Sequence, residues 1–306
     1  MRLYKNYILQ ILFVTFVFPA ITFSQLDSQR TNIKNIINNT NGSVGTAIFN
    51  LENGDTLTFN GEAHFPMQSV YKFPLALAVL NEIDKGAFSL EQKIYVSKND
   101  LLPNTWSPLR DKYPNGNVDI AISELLTYTV SQSDNNGCDI LFRLIGGPAK
   151  VNEYVHSLGI EGINIVSTEE EMHKDGTLQY KNWTTPKAMG QLLIKFVKES
   201  IISTKSKDFL WDVMASTVTG KGRIKGLLPE GTIVAHKTGS SGMDENGLAA
   251  ATNDVGIIKL PGGGDLVVVV LVSDCKDDEK TRDKIIADIA RLAWESSSNQ
   301  KKILEK

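Results

Sequence analysis

Apolar and polar positions follow two rhythms along this chain, and the rhythm changes twice. At 27–39 apolar residues recur at helical spacing, with Ile33, Ile36 and Ile37 on one face. Residues 43–49 and 56–59 read as two strands joined through Asn53-Gly54, a dipeptide that accepts the positive φ of a tight turn. From 70 to 83 the pattern is helical and apolar nearly all round (Phe73, Leu75, Ala76, Leu77, Ala78, Val79, Leu80), which predicts a helix buried on most sides and ended by Gly86. Further helices are predicted at 120–128, 138–145, 149–158, 187–199 and 207–214. Strand character returns at 232–237, 250–260 and 266–273, with Pro261-Gly262-Gly263-Gly264 joining the last two and Val267 to Val270 marking a buried strand. A closing amphipathic helix at 277–294 is apolar at Ile285, Ile286, Ile289, Leu292 and Ala293.

Strands near both ends with helices between them predict an α/β (α+β) fold of two domains. Segments 25–62 and 216–306 would form one antiparallel sheet of five strands flanked by helices, and 63–215 an inserted all-helical domain. A cleft is expected between the two.

Residues 1–24 stand apart. Arg2 and Lys5 precede an apolar run from Ile8 to Phe18, then Pro19-Ala20 and a polar stretch from Ser24, the pattern of a cleaved secretory signal. Gln10 and Thr15 interrupt the run, which falls short of the roughly 20 residues of a membrane span. The expected product is exported to the periplasm and has no membrane contact once the signal is removed. Over 306 residues, 42% hydrophobic and 22% charged, the net charge is −3 without a basic stripe, which argues against a nucleic-acid partner. Only two cysteines occur: Cys138 falls in an apolar helical pattern and reads as a small core residue, and a bond to Cys275 is not indicated. The four histidines (His64, His156, His173, His236) are scattered, so neither a metal site nor any cofactor is expected.

Three short motifs carry the chemistry: Ser69-Val70-Tyr71-Lys72, Ser133-Asp134-Asn135 and Lys237-Thr238-Gly239. The first alone is weak, since a spacing of three merely places two side chains on one helix face. In this order the three are specific. A serine hydroxyl needs a neighbour that takes its proton and a site that stabilises the resulting oxyanion. Lys72, one turn on from Ser69, can be that neighbour.

Together these motifs resemble the set shared by serine β-lactamases and penicillin-binding proteins, and over essentially the whole mature chain the sequence is similar to class A β-lactamases. The resemblance implies that Ser69 is the nucleophile attacking a β-lactam. Backbone N–H groups of Ser69 and Ser240 would form the oxyanion hole. Ser133, between Lys72 and Lys237, would pass a proton to the departing nitrogen, and Asn135 would bind the substrate amide. Within Ser167-Thr168-Glu169-Glu170-Glu171-Met172-His173 the family's four-residue step back from His173 selects Glu169 as the deacylating base, leaving Glu170 and Glu171 as solvated loop charges. Whether Lys72 or Glu169 activates Ser69 stays open. Arg223, with Thr238 and Ser240, would grip the substrate carboxylate in place of an arginine that many relatives carry where this chain has Gly247. Trp106 matches the aromatic at the cleft mouth, and His173 would face the substrate. Trp183, Trp211 and Trp294 read as structural, and His236 as packed.

The loop around Glu169 departs from the family pattern. The ion pair that ties its neck in most class A enzymes is replaced by Ser167 and Asn182, so the tie is expected to be missing and the loop to take another path. The run from Tyr180 through Asn182-Trp183-Thr184 is similar to the extended-spectrum branch of PER, VEB and CfxA types, which implies an opened site and bulky cephalosporin substrates. A penicillin-binding D,D-peptidase or a non-hydrolytic β-lactam sensor is the alternative. Nothing in the chain demands more than a monomer.

Overall fold

The computed structural model describes residues 18–304, with side chains over 27–298; most of the expected signal lies outside the described residues. Among the described residues no helix is long and apolar enough to cross a membrane. Helix α1 (Phe18–Asn38) leads into strands β1 (Ser43–Asn50) and β2 (Thr56–Phe59), then the short β3 (Phe65–Pro66). Next come α2 (Lys72–Asp84), a hairpin of β4 (Lys93–Val96) and β5 (Val118–Ala121) enclosing α3 (Pro108–Lys112), and helices α4 (Ile122–Ser131), α5 (Asn135–Ile145) and α6 (Pro148–Ser157). Strand β6 (Ile163–Asn164), helix α7 (Glu169–Lys174), strand β7 (Trp183–Thr184) and helices α8 (Pro186–Lys198) and α9 (Thr204–Ala215) follow. The chain closes with β8 (Val234–Ser240), β9 (Ala249–Lys259), β10 (Asp265–Cys275) and α10 (Glu279–Leu304).

The expected antiparallel sheet of five strands is present, in the order β2-β1-β10-β9-β8. Its centre is made by the two ends of the chain, because β1 pairs with β10 from Ser43↔Ser273 to Asn50↔Leu266. Both faces are covered. Val44, Ile48, Val268, Val270 and Val272 pack with Ile33, Ile286 and Ile289 of the terminal helices, while Ala47, Val255, Val267, Val269 and Leu271 join the core that runs through the helical region. This explains why β10 shows an unbroken apolar run instead of alternation. Helix α2 is likewise buried from Lys72 through Leu80. The two cysteines are free and buried, as the apolar pattern around Cys138 implied.

Several expectations need correction. The helix predicted from residue 70 begins with a 3-10 turn over Gln68–Tyr71, and α2 proper starts at Lys72. Gln68, with φ 48°, bars any continuous helix from reaching further toward the N-terminus. The helix predicted at 120 starts at Ile122, because Val118 to Ala121 pair with Lys93 to Val96, a tertiary ladder that overrides local periodicity. Strand β7 pairs with β3 and β6 in a second small sheet that no periodicity announced, since each member is two residues long.

Edge strand β8 is held tightly to β9. Gly256 sits opposite His236, and a Cβ added there would meet the Ala235 carbonyl oxygen at 2.6 Å and His236 Cβ at 2.6 Å. In an open strand, replacing glycine by alanine gains roughly 0.5–1 kcal/mol. Here overpacking against backbone, about 1–3 kcal/mol, outweighs that gain. Gly256→Ala is therefore expected to lower the thermal midpoint, and a midpoint at or above wild type in a melting experiment would contradict the account.

Candidate active site

The first motif approaches the third because of one glycine and one asparagine. At Gly239 a Cβ would lie 2.5 Å from the Met67 carbonyl oxygen and 3.3 Å from Ser69 N, so only glycine lets β8 pass this close to the turn carrying Ser69. Asn253, buried on β9, donates to the carbonyls of Pro66 and Met67 at 2.8 and 3.1 Å and so fixes the turn from beneath.

Around Lys72 four acceptors converge. Its Nζ, wholly buried, lies 2.9 Å from Ser69 Oγ, 2.9 Å from the Ser133 carbonyl, 2.5 Å from Asn135 Oδ1 and 2.9 Å from Glu169 Oε1. An ammonium has only three N–H donors. Ser69, Ser133 and Asn135 take them, which accounts for Glu169 Oε1 being ion-paired yet without a hydrogen bond. Ser133 reaches Lys72 with its carbonyl and Lys237 with its hydroxyl, at 2.9 Å in each case. It does both from a left-handed backbone, φ 60°, a conformation that costs a non-glycine residue about 1–3 kcal/mol. Lys237 is fully buried; burial first, then the Lys72 charge, push its pKa well below the ordinary lysine value, with Asp254 and Glu169 opposing.

The second motif is positioned by its middle residue. Asp134 caps α5, accepting from Gly137 N at 2.7 Å, and also accepts from Leu109 N and the Ser107 hydroxyl. This cap starts α5 at residue 135 instead of 138. Asn135, besides meeting Lys72, donates to Thr105 Oγ1 at 2.7 Å.

Glu169 is the first residue of α7, where a carboxylate is favoured by the helix dipole. Thr168 and Glu171 form a capping box, and Glu170 pairs with Lys174, so the three glutamates stand in a capped helical turn and not on an open loop. Behind this turn lies Asp139, a residue the motifs did not reveal. Its carboxylate accepts from the backbone N–H of both Glu169 and Glu170, at 2.9 and 2.8 Å. Burial first, then the Glu169 charge, push its pKa up to about 7. Tyr71 adjoins the same group; burial, then Cys138, Glu169 and Asp139, hold its phenol protonated.

The neck of this loop is tied, contrary to expectation. Asn182, fully buried, accepts from Val166 N and Ser167 N at 2.8 and 3.0 Å and donates to the Ser167 carbonyl at 2.8 Å. A single neutral amide thus does by backbone hydrogen bonds what an ion pair would do by charge.

Arg223 is not a surface charge either. It is 4% exposed; Nε pairs with Asp283 at 2.7 Å, Nη1 donates to the carbonyls of Gly239 and Asn253, and Nη2 donates to Ser240 Oγ at 2.7 Å. Four of its five N–H groups are so used. Thr238 Oγ1 meets Thr219 Oγ1 at 2.6 Å. His236 faces away and pairs through Nδ1 with Asp254, which also accepts from Ile224 N next to Arg223. Trp106 stands exposed with its indole N–H on the Gln132 carbonyl. Trp183 stacks on His64 at 3.5 Å.

These groups line one cleft of about 720 Å³, a volume suited to a small ligand. Ser69, Ser133, Asn135, Glu169, Trp106, His173, Arg223, Thr238 and Ser240 all reach it, whereas Lys72 and Lys237 lie beneath.

A family model described as the β-lactamase enzyme family matches residues 28–297. The β-lactamase VEB-1 of Pseudomonas aeruginosa is 49% identical, over 96% of this chain and 98% of that protein. The extended-spectrum β-lactamase PER-1 of the same organism is 41% identical, over 90% and 89%. Among solved structures, the TLA-3 extended-spectrum β-lactamase superposes with a TM-score of 0.87 at 51% identity, covering 88% of this chain and 98% of that one. The chain belongs to the β-lactamase enzyme family. More narrowly it is a class A serine β-lactamase, a hydrolase of β-lactam antibiotics.

Two expectations follow. Asn182→Ala takes their partner from the buried Ser167 N–H and carbonyl, at about 1–3 kcal/mol each if unrelaxed, and from the more exposed Val166 N–H. It should lower the thermal midpoint by several degrees, and an unchanged melting curve would contradict the tie. For Asp139 the folded pKa of about 7 lies above the unfolded value near 4, so its contribution to stability is full below about pH 4 and is lost as pH rises through about 7. The midpoint difference between wild type and Asp139→Asn should therefore shrink from pH 4 to pH 8. A constant difference would show that this carboxyl does not titrate there.

Proposed function

We propose that this enzyme hydrolyses penicillins and cephalosporins through an acyl-enzyme on Ser69, with bulky oxyimino-cephalosporins among its substrates, and so confers resistance. The observation that carries the reading is the Glu169 carboxylate, held 2.9 Å from Lys72 at the nucleophile by a helix whose first N–H groups are bound to Asp139. A D,D-peptidase or a sensor that traps the acyl group has no use for such a base.

In the order of steps we favour, the Lys72 ammonium first yields a proton to Glu169, 2.9 Å away, and the freed amine takes the Ser69 proton as Ser69 Oγ, its hydrogen-bond partner at 2.9 Å, attacks the lactam carbonyl. The Ser69 proton is thus matched by the one Glu169 gains, whether it travels through Lys72 or reaches the carboxylate directly. Backbone N–H groups of Ser69 and Ser240 receive the oxyanion; one such donor is worth about 10²–10³ in rate. The Ser133 hydroxyl, on Lys237 at 2.9 Å, hands a proton to the departing nitrogen. Arg223 presents Ser240 Oγ and its remaining Nη2 hydrogen to the substrate carboxylate, with Thr238 beside it. Asn135 meets the substrate amide, and Trp106 and His173 flank it. Glu169 then orients the water that frees the acyl group. The protein acts as an exported, periplasmic monomer.

Incubation with a chromogenic cephalosporin and with an oxyimino-cephalosporin tests the reading. Wild type should release product over many enzyme equivalents, Glu169→Gln one equivalent and then stall, and Ser69→Ala none. Sustained turnover by Glu169→Gln would remove Glu169 from the role, and good benzylpenicillin hydrolysis without oxyimino turnover would remove the extended spectrum.

A further inference from the structure

Two successive residues of the 3-10 turn Gly176–Tyr180, which follows α7 and contributes Gly176 and Gln179 to the cleft wall, are clipped to the opposite part of the molecule. Gln179 Oε1 accepts from Gln68 Nε2 at 2.6 Å, beside the nucleophile. Tyr180 OH donates to Asp274 Oδ1 at 2.7 Å, near the end of β10. Both anchors hold a left-handed backbone, φ 48° at Gln68 and at Asp274. Such conformations are kept only where the surroundings enforce them. At Asp274 the conformation also breaks the strand's alternation: Cys275, which strict alternation from Leu271 would put with the helical core, packs with the terminal helices.

The Glu169 end of the same segment is held separately, by Asp139, the Thr168 capping box and Asn182. The turn at 176–180 therefore has its own attachment, distinct from the one that positions the base. If the substrate carboxylate lies at Arg223 and Ser240 and its amide at Asn135, the acyl side chain leaves toward His173, Gly176 and Gln179. That placement rests on the function proposed above.

We propose that Gln68–Gln179 and Asp274–Tyr180 form a two-point clasp that sets the position of this wall, making Tyr180 and Asp274 positioning residues for recognition of bulky acyl side chains. A large side chain packs against the wall and gains from its being fixed in advance; a compact one does not reach it. Burial and the Asp274 contact push the Tyr180 phenol up to about 12, so it stays a donor across the working range.

Tyr180→Phe and Asp274→Gly cut the outer clip, the glycine without backbone strain. Asp274→Asn keeps an oxygen acceptor at a position where asparagine tolerates positive φ. For an oxyimino-cephalosporin the first two variants should raise KM about fivefold, the worth of one hydrogen bond. Benzylpenicillin kcat and KM should stay at wild-type values in both. Asp274→Asn should match wild type throughout, and the Tyr180→Phe/Asp274→Gly pair should be no worse than either alone. Amide hydrogen exchange over 176–181 should quicken in the cutting variants and not in Asp274→Asn. Equal changes for both substrates, no change for either, or unaltered exchange would overturn the clasp. Failure of wild type to turn over either β-lactam would count against the functional reading, and the exchange comparison would still judge the clasp.

Discussion

A lysine ammonium with no access to water is the constraint on which the rest of this site depends. Removing an ammonium from solvent costs several kcal/mol unless every donor is matched, and Lys72 is wholly buried at the front of a helix that is itself buried. The molecule meets that demand by bringing a serine hydroxyl, a strained carbonyl, an amide and a carboxylate to one nitrogen, each from a different element. Ser133 offers its carbonyl from φ 60°, and Glu169 comes from a helix anchored on Asp139. Two of the groups that satisfy the charge, the Ser69 hydroxyl and the Glu169 carboxylate, would themselves move protons during turnover. Removing any of them therefore leaves a buried charge short of a partner, which couples stability to chemistry at this point.

A second tier of neutral or self-compensating contacts supports that centre. Asn253 and Asn182 each serve backbone groups on two sides, one beneath the nucleophile's turn and one at the neck of the Glu169 segment. Arg223 is enclosed by Asp283 and three oxygens, so its charge is balanced before any substrate arrives. Between Asp139 and Glu169, burial and carboxylate repulsion prevail, and two helix N–H groups and Lys72 oppose them only in part, which is why the Asp139 pKa stands up at about 7.

Much of the fold was legible because its signals are local or one-dimensional. The continuous apolar run at 70–83 predicted burial without reference to neighbours, five strand patterns gave the sheet, and three motifs located most of the cleft. What escaped depends on distance along the chain or on single backbone angles. Asp139 lies 30 residues from Glu169 along the chain, and no local pattern announces that it will hold it. Nor does any pattern mark Gln68 as left-handed, or two-residue strands as a sheet. Two misses did carry a signal. Asp134 before an apolar helical run is a capping pattern that places the helix start at 135, and Thr168-x-x-Glu171 is a capping-box pattern that announces a short helix at 169–174 in place of a loop.

The pairing of β1 with β10 has a consequence for how the molecule is born. Residues 43–50 cannot find their central partner until residues 265–275 have been made, so the sheet closes only when nearly the whole chain is available. Such long-range pairing folds slowly, since the entropy of closing a loop of that size comes due before its contacts form. Strand β8, which carries Lys237, joins β1 only through β9 and β10, so that side of the site too is tied into the sheet only once residues 265–275 exist.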